Sequence, residues 1–236
     1  MKGFCSGCIE SPESCPLARN RTAAELEKTI YDTLETLKSN PIAIYSPGES
    51  YLLDYTIAQQ TILDEFYTPQ SWPKLSVVID GLVNGNISQL VAGYIALSTS
   101  TTGAASTSIS VSNSTTSQDA EAVFGIRCSD KFARRSSLSD MLPDIEERQS
   151  KSKIMGDSPV TGPVNCAQWK MDAEGRYSGD FKVKTRNPVL LIGNTFDPVT
   201  PLVSAHNMSS GFEGSVVLQH NSYGVSASEC NILGAD

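Results

Sequence analysis

The sequence predicts an α/β protein in which a helical front part precedes one short β-α-β unit. Three observations carry that expectation. Apolar residues recur at helical spacing from Leu26 to Leu82. An unbroken apolar run, Val189 to Ile192, ends in a polar turn that presents Asp197. A second run, Ser215-Val216-Val217-Leu218-Gln219, follows a short helical stretch near Leu202–Met208. A run as short and apolar as Val189–Ile192 suits a strand buried on both faces of a parallel sheet.

The helices declare themselves in order. Thr22-Ala23-Ala24-Glu25 is a capping-box pattern, in which the threonine hydroxyl and the glutamate serve the first unpaired backbone N–H groups. Leu26, Ile30, Leu34 and Leu37 then share a face, and Asn40-Pro41 stops the helix. A second helix is predicted over about Tyr51 to Phe66, with Leu53, Ile57 and Leu63 as core candidates. A third opens at Trp72-Pro73, since proline is tolerated in a first turn, and ends at Asn84-Gly85. Residues 98–118 are nearly all Ser, Thr, Ala and Gly, and so predict a mobile surface loop. Val123–Cys128 reads as a strand-like segment, and Leu138 to about Lys153 as helical. The β-turn-α-β unit at the end needs neighbouring strands, and the residues before it offer few.

Composition narrows the function classes. A net charge of −8 argues against a nucleic-acid partner, because phosphate neutralisation needs a basic face. No apolar run approaches the length of a membrane span. The six cysteines favour disulfides over a metal site. Cys5-x-x-Cys8 has no second such pair, and neither His206 nor His220 lies near it. Asn20, Asn86, Asn113 and Asn207 each begin an Asn-x-Ser/Thr triplet, which with the cysteines predicts a secretory history. Met1-Lys2-Gly3-Phe4-Cys5 carries no apolar h-region, so no signal peptide is expected at this start. No cofactor or metal is implied.

Asp197 is the candidate catalytic residue, because ligands and catalytic groups of open α/β sheets gather beyond the carboxyl ends of the strands. The segment around it, Asn187-Pro188-Val189-Leu190-Leu191-Ile192-Gly193 with Asp197-Pro198-Val199-Thr200-Pro201-Leu202 and Ala205, resembles the tripeptidyl-aminopeptidase-like branch of the α/β-hydrolases. Phe66-Tyr67-x-Pro69, Trp72-Pro73, Ile126-x-Cys128-x-Asp130 and Cys166-x-x-Trp169 support the likeness. The resemblance implies a partial α/β-hydrolase: a mostly helical lid region, 1–180, then the last β-α-β unit of the hydrolase sheet, 181–236. It also implies a secreted serine peptidase that releases short peptides from substrate N-termini. Asp197 lines up with the triad acid, which holds the histidine in the right tautomer.

The acid's partners are not found. No Gly-x-Ser-x-Gly occurs in the 236 residues. The nearest imitation is His220-Asn221-Ser222-Tyr223-Gly224, which lacks the first glycine and any clear helix after it. Where the resemblance implies Gly-His, the chain reads Gly224-Val225, and valine has no proton to move. His220 is expected in a loop after the last strand, and His206 on a solvent-facing helix. Asp54, Asp64 and Glu65 are acidic lid positions, and surface solvation explains each equally well. The expectation is a chain that carries the triad acid and is inactive as given. The alternative is a truncated or degenerate relative that acts as a binding module.

Overall fold

The computed structural model describes residues 1–46, 49–98, 117–130, 134–156 and 164–225. The chain forms two compact units, one of Met1–Ser108 with Gly179–Asp236 and one of Ile109–Ser178.

In the first unit, α1 (Lys2–Glu10) is followed by a Cys8–Cys15 disulfide and then α2 (Ala23–Leu37). The capping box at Thr22 forms as the sequence predicts: the hydroxyl accepts from Glu25 N, and the Glu25 carboxylate accepts from Thr22 N at 2.8 Å. Leu26, Ile30, Leu34 and Leu37 are all buried. The helix predicted from Tyr51 is shorter than expected. Glu49–Leu53 forms strand β2, which pairs antiparallel with β1 (Ile42–Ser46), and only Tyr55–Phe66 forms helix α3. Asp54 decides the boundary by accepting a hydrogen bond from Ile57 N at 2.9 Å, as a helix N-cap does.

Helix α4 (Trp72–Val83) starts at Trp72-Pro73 as predicted and packs on α5 (Ile87–Ser98), which the sequence reading did not single out. Asp80 is fully buried between them and accepts from Arg19, Asn84 and Gln89 at 2.8–2.9 Å. Most of the loop predicted at 98–118 lies outside the described residues.

The second unit holds α6 (Ser117–Asp130), α7 (Leu142–Lys151) and the short α8 (Val164–Ala167). Val123–Cys128, expected as strand-like, is part of α6. A short apolar run has no decisive periodicity, and among the described residues no strand lies there to pair with it. The helix predicted from Leu138 is present as a 3-10 turn at Ser139–Met141 leading into α7. Cys128 and Cys166 form a disulfide, and Trp169 donates to Ser129 Oγ at 3.2 Å.

The chain's last elements, back in the first unit, are β3 (Leu190–Phe196), α9 (Leu202–Ser209) and β4 (Val216–Tyr223). This is the β-α-β unit read from the sequence, with β3 and β4 parallel. Helix α9 closes tightly on β3 at Gly193, where a Cβ would meet Leu202 at 3.0 Å and Ala205 at 3.2 Å. One expectation fails here. The strands are not buried on both faces: Leu190 is 58% exposed and Ile192 47%, beside Val216 and Leu218 on β4. Alternate residues point to opposite faces, so α9 covers one face and these four side chains lie on the other.

Candidate active site

Parallel pairing builds the site. Register places Leu190 opposite Val216 and, after an irregularity near Asn194, Phe196 opposite Tyr223. The next residues on the two strands are Asp197 and Gly224, so residues far apart in sequence emerge at one carboxyl edge.

Asp197 is buried, and the turn after β3 wraps around it. Its Oδ1 accepts from Val199 N at 2.8 Å and Thr200 N at 2.7 Å, while Oδ2 accepts from the Thr200 hydroxyl at 2.7 Å. Asp-Pro-Val-Thr folds this way because the carboxylate satisfies the amides of residues two and three positions on. These donors fix the direction in which the carboxylate points.

The opposite side is also pinned. Asn194, 2% exposed, donates from Nδ2 to Gly224 O at 3.0 Å, and Val225 N donates to Tyr67 O at 3.3 Å. Gly224 has φ +97°, and a Cβ there would meet Pro69 Cδ at 2.9 Å, so this bend requires glycine. Tyr223 stacks on Phe196 at 4.6 Å and meets Trp72 at 5.4 Å; Trp72 in turn meets Phe4 edge-on. The aromatic row ties the end of β4 to the helices that carry Phe4 and Trp72. Beside it lies a mainly apolar cleft of about 290 Å³, lined by Phe4, Cys8, Cys15, Pro69, Trp72 and Ser76.

The other sequence candidates fall elsewhere. His220 is not in a loop, because pairing with β3 continues past it and makes it a residue of β4. Its ring Nδ1 lies 3.3 Å from Asn194 Oδ1. With the Asn194 amide nitrogen turned to Gly224 O, Oδ1 faces the imidazole, so Nδ1 carries the proton of that bond. His206 is exposed on α9, as expected. Ser222 lies inside β4 and donates to Tyr223 O at 3.0 Å, not on a strand-to-helix turn.

Among the acidic lid positions, Asp54 is the cap of α3 and Asp64 accepts from Gln60 Nε2 at 2.7 Å. Burial raises the carboxyl of Glu65 above its ordinary range. Cys5 is a buried free thiol that desolvation pushes up to about 12, so it is neither a ready nucleophile nor a ready metal ligand. Asn194 is the residue that sequence reasoning missed. Its signal was present, as an amide at the end of a strand otherwise read as apolar.

Residues 152–231 match the family model described as TAP-like protein. Over this segment the chain is similar to the C-terminal portion of TAP-like α/β-hydrolases. The match holds β3, Asp197, α9, β4 and the Gly224-Val225 bend, and with them the Asn187–Leu202 signature and Cys166-x-x-Trp169; the supporting motifs at Phe66–Pro69, Trp72-Pro73 and Ile126–Asp130 fall outside it. Residues 1–151 lie outside it. No curated protein matches the chain.

Two disulfides suit an oxidising setting such as the outside of a cell. Among the described residues, no helix is long and apolar enough to cross a membrane.

Proposed function

We propose that residues 181–236 are the acid-bearing edge of a serine-hydrolase sheet of the peptide-releasing kind, with Asp197 as the group that orients a histidine. We further propose that these 236 residues do not hydrolyse peptides by themselves. One observation carries the reading: Asp197 is buried, held by three local donors, and emerges beside the Gly224-Val225 bend. A carboxylate fixed beyond a parallel strand is suited to hold an imidazole N–H and stabilise the imidazolium formed in acyl transfer. At the bend the chain supplies valine, which cannot relay a proton. A nucleophile elbow is missing from the sequence as well. Helices and aromatic residues of the 1–180 region would then serve as the lid against which peptide substrate is held.

Two measurements test this. A fluorophosphonate probe, which labels activated serines covalently, is expected to leave the chain unlabelled; labelling would overturn the inactive reading. Val225→His puts an imidazole at the bend, and a nearby carboxylate favours its charged form. Its titration by NMR is expected at higher pH in V225H than in the V225H/D197N double variant. Equal titration in the two would remove Asp197 from the orienting role.

A further inference from the structure

Three Asn-x-Ser/Thr triplets begin within the described residues, at Asn20, Asn86 and Asn207, and all three asparagines are exposed. Their amides differ in what they do. Asn86 caps α5: its Oδ1 accepts from Gln89 N at 3.1 Å, and its Nδ2 donates to Gln89 Oε1 at 3.3 Å. The side-chain amides of Asn20 and Asn207 make no hydrogen bond among the described residues. Asn20 sits at φ +55°, exposed, in the turn between the Cys8–Cys15 disulfide and the cap of α2. Asn207 lies on the outer side of α9, whose inner side, Leu202 and Ala205, rests on Gly193.

We propose that Asn20 and Asn207 carry N-linked oligosaccharides, whereas Asn86 remains an unmodified helix cap. The donor is a lipid-linked oligosaccharyl diphosphate. The asparagine Nδ2 bonds to the anomeric carbon of the first sugar and gives up one proton, and the bond from that carbon to the diphosphate oxygen breaks. Both acceptors stand clear of packed side chains, and the two disulfides fit the oxidising route on which such triplets are modified. A glycan on Asn207 also sets the orientation of the β-α-β unit. It keeps the outer side of α9 in water, on the opposite side of the sheet from Leu190, Ile192, Val216 and Leu218.

The test is glycosite mapping on the protein purified from the cells that make it. Peptide-N-glycosidase in ¹⁸O-water converts each glycosylated asparagine to labelled aspartate, which mass spectrometry locates. Label at Asn20 and Asn207 with none at Asn86 is the expected result. An unlabelled Asn20 or Asn207 overturns the assignment of that site, and label at Asn86 overturns its exclusion. N20Q and N207Q are each expected to remove one step of gel mobility, and no lost step would count against the corresponding site.

Discussion

Helices α2–α4 and the β3–β4 pair belong to the same compact unit, yet they bury their apolar residues very differently. Leu26, Ile30, Leu75 and Ile79 are at most 2% exposed, because each helix stripe meets another helix. On the β3–β4 pair, Leu190, Ile192, Val216 and Leu218 are each about half exposed, because one helix covers one face only. A helix satisfies its backbone internally and needs a neighbour only for its stripe. A parallel strand needs neighbours at its edges and a cover on each face. The helical part therefore completes its own core, while the sheet carries apolar surface that its own elements do not bury.

The largest expected effects come from setting these regions against each other. Leu75→Ala is expected to cost about 2–5 kcal/mol by chemical denaturation, because the buried side chain leaves a cavity. Ile192→Ser on the open face is expected to change stability by no more than about 0.5 kcal/mol. Comparable losses at the two positions would mean that Ile192 is covered in solution.

The disulfide of the second unit comes next. Among the described residues that unit has few buried apolar side chains, so Cys128–Cys166 does much of its ordering. Replacing both cysteines with serine is expected to cost roughly 3 kcal/mol. Proteolysis should then begin within residues 117–178 while α2–α4 stay protected. Simultaneous loss of both units would show that they unfold as one.

A smaller loss than either the core or the disulfide variant is expected at the cap of α2. Thr22→Ala is expected to lower stability by about 1 kcal/mol. The Thr22 backbone N–H, and then its hydroxyl, hold the Glu25 carboxyl below its ordinary value. A folded pKa below the unfolded one gives stability that is present above the ordinary glutamate value and lost as pH falls through the folded value. Acid titration of wild type against T22A should show the gap between them narrowing over that window. A gap independent of pH would mean that the Thr22 hydroxyl does not help to hold the carboxylate, whose bond to the backbone N–H persists in T22A.

The local signals in the sequence were strong and short-range. Thr22–Glu25 specified a helix start, Trp72-Pro73 another, and Val189–Asp197 a strand and its turn, because each depends on residues within a few positions. The same short range explains the failures. Tyr51–Leu53 became a strand because Ile42–Ile44 lay alongside to pair with it. Val123–Cys128 became helix where no strand among the described residues lay alongside, and His220 joined a strand because pairing with β3 ran past it.

By itself, then, the sequence determined the helical front, the β-α-β order, the Asp197 turn, the lack of a nucleophile elbow and the valine at position 225. Only the tertiary structure decided that Asp197 and Gly224 share one edge, that buried Asn194 fixes both the bend and the His220 proton, and that one face of the sheet stays open. Those facts depend on strand register and on which surfaces meet, and contacts between residues distant along the chain leave no local pattern to read.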